Sequence, residues 1–431
     1  MTRPSSTEPE SASPPPKCPA HAGTGAVPLS GPSFQTEPQA VYRAMRRDHG
    51  PVVPVELPGG FPAWLVIGYR ELHQVTSDGE LFPRDVGLWN QWEHIPDDWP
   101  LLPMVGRPLP SIYFSAGDEH RRHARMVGPA LEGADPFEIR RHSEQLADRL
   151  IDAVCSRGAA DLVADFCEPL PVLVLARLVG FPDDEGAGIA RVLKDLADGG
   201  PGAQEAHLRF GEHMTRLVAA KRAEPGDDVT SRMLASPEAF TDEEYMLDLM
   251  AITAAGHLTT ADWISNSLRL MLTEDEFAHS MAGGRRSVGE TMNEVLWEDA
   301  PTQILAGRWA ARDTRLGGHS IAAGDMLLLG LGAANTDPLI RQSLSGGGPC
   351  AQGGNGAHLA FSHGEYRCPF PAQEIAETIA RTGIEVLLDR LPDLELRVPV
   401  PDLVRRPSAF LRGTTSLPVR FTPVRTTGDL S

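Results

Sequence analysis

One stretch near the end of the chain, HLAFSHGEYRCPFPAQEIAE from His358 to Glu377, narrows the choice of fold more than any other. It reads as an extended lead-in, a turn at Gly364, a single cysteine and then a helix. Cys368 stands seven residues after Phe361, directly before the helix start. A helix beginning there turns its free N–H groups and positive dipole end toward the sulfur, which favours the thiolate. That is the layout of a thiolate that ligates a heme iron. A buried free cysteine accounts for Cys368 equally well, so the remainder of the chain has to decide.

Several classes drop out on totals. A net charge of −19 argues against a nucleic-acid binder, which would carry a basic excess. The five cysteines (Cys18, Cys155, Cys167, Cys350, Cys368) are odd in number and lack paired spacing, which suits a reducing compartment. No run of 18 apolar residues is present, so no membrane span is expected. The opening MTRPSSTEPESASPPPK lacks an apolar signal core, and a cytoplasmic protein is expected. At 431 residues, 41% hydrophobic and 23% charged, the chain can build a large core, and length alone suggests two or three domains.

Residues 1–30 are rich in Pro, Ser, Glu and Thr and read as a disordered arm. Cys18 and His21 inside it are too few ligands for a zinc site. A helix over Pro38–His49 is followed by two apolar runs, Val52–Val55 and Ala63–Ile67, around Pro58-Gly59-Gly60, the pattern of a hairpin. After a helix over Tyr69–Thr76 comes a long Pro-rich stretch from Phe82 to Phe114, carrying Trp89, Trp92 and Trp99. A loop of that length reads as a lid over a binding site, or as a segment its tryptophans pin to the core. Asp118 to Arg125 is a dense cationic cluster at a helix start, either a solvated face or a clamp for a carboxylate.

Helical periodicity dominates from Phe137 to Leu272, with helices over Glu138–Ser156, Leu162–Leu178 and Gln204–Ala223. Thr241 followed by Asp242, Glu243 and Glu244 marks the start of a helix that runs to about Leu272. Its middle, Ala254-Ala255-Gly256-His257-Leu258-Thr259-Thr260, is rich in small and hydroxyl residues. Such residues admit a bulky group against the backbone, and they also suit a helix crossing; a threonine hydroxyl can open the helix locally. Gly284-Arg285-Arg286 precedes a helix over Ser287–Asp299; short strands follow within Pro301–Met326, and Leu327–Ala334 is a helix or a buried strand. Residues 341–357 are Gly-rich and unpatterned, Pro371–Leu391 is a helix, and the tail from Leu394 to Pro423 alternates like strands of a small sheet.

From Pro38 to Pro423 the chain resembles the soluble bacterial cytochromes P-450, the heme-thiolate monooxygenases. The motifs that carry this are Phe361, Gly364 and Cys368, the Gly256–Thr259 segment, Glu294, the turn Ala333-Ala334-Asn335-Thr336-Asp337-Pro338, and LVAAKRAEPGDDVTS from Leu217 to Ser231. The resemblance implies a mainly α fold with small β-sheets, a triangular single domain over 31–424 with a flexible tail at 425–431. Heme b would lie between the long central helix and the cysteine-loop helix. It implies Cys368 as the axial iron ligand, with Phe361, Gly364 and Tyr366 in the surrounding loop. His120 and Arg308 would partner the heme propionates, with Arg122 and Arg125 nearby, and Ala255, Gly256 and Thr259 would face the oxygen side. Electrons would come from a ferredoxin and its reductase. The substrate would be a mid-sized apolar molecule, hydroxylated or oxidatively coupled, as in secondary metabolism, and the protein would be a monomer.

The departures from the family pattern are specific. Leu258 stands where an acid normally precedes the threonine. Glu294-Val295-Leu296-Trp297 replaces Glu-x-x-Arg, with Trp297 expected against the Ser343–Ala357 loop and Glu294 on backbone or water. Tyr366 replaces a histidine and Phe370 a glycine; Pro369 and Pro371 remove two backbone N–H groups beside the sulfur. Glu-x-x-Trp resembles a streptomycete subgroup often encoded beside small-GTPase regulators. A heme protein with weak oxygenase activity, acting as a redox, sensing or regulatory partner of a GTPase-type complex, is therefore the alternative expectation.

Overall fold

The structure, a computed structural model, describes residues 25–29, 31–198, 202–273, 287–340 and 356–426. Cys18, His21, Gly284-Arg285-Arg286, residues 341–355 and residues 427–431 lie outside this range, and so do the expectations that fall on them.

The organising element is the helix Asp242–Thr273. A reciprocal cap starts it: Glu244 N–H donates to Thr241 Oγ1 at 3.2 Å and Thr241 N–H to Glu244 Oε2 at 2.6 Å. Its 32 residues span about 48 Å at the α-helical rise. The helix is buried almost all round, because helices Pro169–Val179, Ala203–Ala223, Val288–Glu298 and Phe370–Arg390 all pack on it. It stays α-helical through Gly256 and Thr259 without a local opening: Thr259 Oγ1 donates back to the Ala255 carbonyl at 2.5 Å. Gly256 marks a crossing, since a Cβ there would meet Leu175 Cδ1 at 3.0 Å.

A five-stranded sheet packs with the helix Pro38–His49 in a core of its own, in the spatial order Val27–Pro28, Val52–Leu57, Phe61–Val66, Met326–Leu329, Leu305–Trp309. The central pair is the expected hairpin, closed by Gly59 and Gly60 at φ 89 and 82°. Its outermost strand corrects the arm boundary: Val27 and Pro28 pair with Val55 and Glu56, so order begins before residue 31. The Leu327–Ala334 segment is both things in turn, a strand to Leu329 and a short helix over Leu331–Asn335.

Leu162–Leu178 is not one helix. A π-helical turn over Val163–Cys167 precedes a helix that starts at Pro169. Pro169 and Pro171 lack N–H groups, which suits a helix start and not its middle. The tail forms strands only at Glu395–Leu396 and Pro418–Arg420, antiparallel to each other, with Pro418–Arg420 also pairing Ala159–Asp161. The segment from Phe82 to Phe114 holds only short turns of helix. Trp89 and Trp99 are buried against Phe61, and Trp99 Nε1 donates to the Pro58 carbonyl at 2.7 Å, so these tryptophans pin the segment to the sheet layer.

Candidate active site

The cysteine loop is built by three backbone devices. Ser362 and Gly364 take φ 62 and 75°, and Cys368 N–H donates to the Phe361 carbonyl at 3.0 Å. Gly364 lies hard against the end of the helix Tyr69–Ser77, where an added Cβ would stand 1.9 Å from the Thr76 carbonyl oxygen. Gly364→Ala is therefore expected to cost about 3 kcal/mol or more, from left-handed strain together with the clash. An unchanged denaturation midpoint would contradict this.

Asn335 fastens the loop to the helix Val288–Glu298, accepting from Leu359 N–H at 2.7 Å and donating to the Leu296 carbonyl at 2.8 Å. Among the described residues nothing donates a hydrogen bond to Cys368 Sγ, and burial pushes its thiol pKa up to about 12. The helix that follows runs Phe370–Arg390, with Pro369 at its N-cap.

A cavity of about 520 Å³ is lined by this loop (Phe361, Tyr366, Cys368, Pro369) and by the central helix (Ala255, Gly256, Leu258, Thr259). The long segment contributes Arg84, Met104, Ile112 and Tyr113, so it is a wall of the site as well as a pinned loop. His120 also lines the cavity. Its Nδ1 lies 3.0 Å from the Ile112 carbonyl and its Nε2 3.3 Å from that of Glu365. Burial lowers its pKa, opposed by those two carbonyls.

Arg308 comes from the edge strand at an irregularity beside Gly307, which takes φ 102°. Its guanidinium stacks 4.3 Å from the Tyr366 ring centroid. Burial and the neighbouring Arg84 bring its pKa down to about 9. Arg84, which the sequence did not single out, stacks 3.7 Å over Tyr113. Arg84 Nη2 and Arg308 Nη1 are buried without a partner among the described residues. Two unpartnered guanidinium groups beside one cavity fit a dianionic ligand edge, since each buried orphan donor costs about 1–3 kcal/mol. A porphyrin with two carboxylates, set over Cys368, meets that requirement.

Not all expected residues converge. Arg122, Arg125, Arg308 and Gly364 do not line the cavity, although Arg308 stacks on its Tyr366 wall and Gly364 shapes the cysteine loop. Arg122 is engaged by Glu119 and Glu244, and Arg125 is exposed and pairs with Glu238 at 2.5 Å. Arg121 pairs with Asp118 and Glu365. The cationic cluster is thus a neutralised face, with His120 turned to the cavity and His123 buried against Asp248 of the central helix. His257 points away from the cavity, its Nε2 3.2 Å from the Glu168 carbonyl, and burial lowers its pKa to about 4. It does not stand in for the acid missing at Leu258.

Where the family has a Glu–Arg pair, this chain has a chain of rings. Trp297 meets His358 edge-on at 5.9 Å, His358 meets Phe361 at 5.9 Å, and Phe361 meets Trp263 at 5.8 Å. These rings join the helix Val288–Glu298, the cysteine loop and the central helix. Glu294 is half-buried with no side-chain partner among the described residues.

No protein-family model matches the chain. It is 28% identical over 418 residues to the vitamin D(3) 25-hydroxylase of Pseudonocardia autotrophica, covering 93% of this chain and 98% of that protein. It is 27% identical over 416 residues to the cytochrome P450 monooxygenase PikC of Streptomyces venezuelae, covering 92% and 94%. Among solved structures, CYP154C4 from Streptomyces sp. W2061 superposes with a TM-score of 0.81 at 28% identity, covering 91% and 97%. CYP154A1 from Streptomyces coelicolor A3(2) does so with 0.80 at 27%, covering 92% and 100%. With end-to-end likeness to these enzymes in sequence and fold, and a cavity bounded by the cysteine loop and the central helix, the chain belongs to the bacterial cytochrome P450 monooxygenases.

Proposed function

We propose that the protein holds heme b on Cys368 and oxidises a mid-sized apolar small molecule, by hydroxylation or oxidative coupling, in secondary metabolism. The observation that carries this reading is the cavity where Cys368, the Ala255–Thr259 face and Arg84 meet, with Arg308 stacked on the Tyr366 ring of its wall. Bound heme supplies O₂ activation and electron storage, and the thiolate raises the electron density that O–O cleavage needs. Cys368 Sγ would hold the iron and Arg84, Arg308 and His120 would hold the carboxylates, with Phe361 on the same cavity wall as Cys368. Met104, Ile112, Leu175, Leu178 and Ile252 give the substrate side apolar walls, which exclude water and select an apolar ligand. The name of one relative, a vitamin D(3) 25-hydroxylase, supports a lipophilic substrate. No helix among the described residues is long and apolar enough to cross a membrane. A cytoplasmic monomer fed by a ferredoxin and its reductase completes the reading.

Proton delivery distinguishes this chain. Thr259 keeps its hydroxyl on the cavity wall, donated to Ala255, but Leu258 can hold no proton. Protons must come through water or substrate, so a large share of the electrons is expected to leave as hydrogen peroxide. Leu258→Asp should lower the peroxide yield per NADPH by about tenfold, a part of the roughly 10²–10⁴-fold that a positioned acid supplies to proton transfer. Tight coupling in the unaltered enzyme that Thr259→Ala leaves unchanged would contradict this. A panel of apolar substrates with surrogate ferredoxins tests the oxygenase reading itself. Absence of substrate-dependent NADPH consumption would favour the non-oxygenase alternative.

A further inference from the structure

We propose that Asp248, with His123, is a positioning pair that holds the cavity lid and the His120 imidazole in register. Asp248 sits on the central helix, wholly buried. One of its oxygens, Oδ1, accepts from the Ile112 N–H at 2.7 Å. The other, Oδ2, lies 2.5 Å from Nδ1 of His123, which is also wholly buried. The carbonyl of the same Ile112 lies 3.0 Å from His120 Nδ1. That oxygen and the Glu365 carbonyl, 3.3 Å from Nε2, can both only accept, so each is served by the His120 ring nitrogen that faces it when that nitrogen carries a proton. Ile112 is therefore held at both of its backbone groups, by Asp248 through its N–H and by His120 through its C=O, while its side chain lines the cavity. A ligand that moves Ile112 disturbs His120, and the reverse.

The charge around His123 makes the hold pH-dependent. Facing it are Glu119 Oε1 at 3.3 Å from Nε2 and Glu244 Oε1 at 3.8 Å, with Asp248 on the other nitrogen; Arg122 bridges Glu119 and Glu244. Phe240 closes the remaining side with its ring centroid at 5.1 Å. Burial works against the imidazolium, but the hydrogen bond and charge of Asp248 outweigh it, and the His123 pKa is raised. A histidine whose folded pKa is raised stabilises most below its unfolded pKa and loses that contribution as pH rises through the folded value. The lid is thus held most firmly at mildly acidic pH, below the ordinary imidazole range, and loosens as pH rises through the raised His123 value.

The link to His120 rests on the heme reading above; the grip on Ile112 does not. The test is hydrogen–deuterium exchange of the Ile112 amide in the heme-loaded full chain, from about pH 6 to about pH 9. The unaltered protein is compared with Asp248→Asn and His123→Gln, after correction for intrinsic exchange. At the acidic end both variants should exchange about tenfold faster, the cost of losing a charge-assisted bond. Raising the pH should bring the unaltered protein toward the variants, whose corrected rates stay flat. Equal protection in all three proteins, or the same pH profile with and without the charge, would overturn the proposal. Asp248→Asn keeps an acceptor for Ile112, so protection retained in it would assign the role to shape alone and overturn the charge pairing. Should Asp248→Asn fail to fold, His123→Gln carries the test. The absorption spectrum of the same samples reports the heme thiolate separately, so failure of the heme reading is distinguishable from failure of this one.

Discussion

Trp297→Arg, which restores the residue normal to the family, is expected to destabilise the protein by about 3 kcal/mol or more and to release heme. Trp297 is 2% exposed and packs edge-on to His358, the first link of the ring chain that reaches Phe361 and Trp263. Arginine there loses the ring contact and buries a guanidinium among aromatic faces. Glu294, one turn away and without a side-chain partner among the described residues, is the nearest carboxylate on its own helix. It is half-buried, whereas a buried pair needs excellent geometry to offset desolvation. As a companion, Glu294→Gln should change stability by less than about 1 kcal/mol, because no ion pair depends on it. Denaturant titration and heme content check both. A neutral or improved heme yield in Trp297→Arg, or a severe loss in Glu294→Gln, would mean that the ion-pair logic of the family still operates.

Arg308→Met should act with opposite sign on the two forms of the protein. Without heme, Arg308 is a 2% exposed guanidinium with an unpartnered nitrogen and Arg84 as a like-charged neighbour. Replacing it by an apolar side chain of similar length should stabilise the apo form by about 1–4 kcal/mol, the range found when buried ionic groups give way to apolar packing. On the proposed heme reading the same change would delete a charge-assisted bond to a carboxylate, and heme affinity should fall by about 10- to 100-fold. The paired measurement is the apo melting curve and the rate of heme loss to an acceptor protein. A destabilised apo form with unchanged heme retention would mean that Arg308 serves packing against Tyr366 and not anion binding.

What could be read from the sequence follows from what is local. The central helix was legible because its cap, Thr241 with Glu244, and its long apolar pattern are written within one segment. The cysteine loop was legible because a left-handed Gly364, a cysteine and a helix start stand in fixed order. The break at Pro169 could have been found, since two prolines sit inside the presumed helix. Arg84 could not: a lone arginine between Pro83 and Asp85 has no periodicity, and only tertiary packing brings it beside Arg308. The same limit misplaced Arg122 and Arg125. Glu238 and Glu244, which neutralise them, lie more than a hundred residues further on, and charge patterning along a helix does not reveal distant partners. The ring chain from Trp297 to Trp263 was hidden for the same reason. Trp297 was expected against the Gly-rich loop, whose residues 341–355 lie outside the described range, and the contact within it is with His358.

The central claim, that Cys368 binds heme iron as a thiolate, is tested most directly by the absorption spectrum of the reduced protein under carbon monoxide. The unaltered protein should give the strongly red-shifted Soret band of thiolate ligation, and Cys368→Ser should lose it. Heme bound without that band in the unaltered protein, or a band that survives Cys368→Ser, would contradict the account.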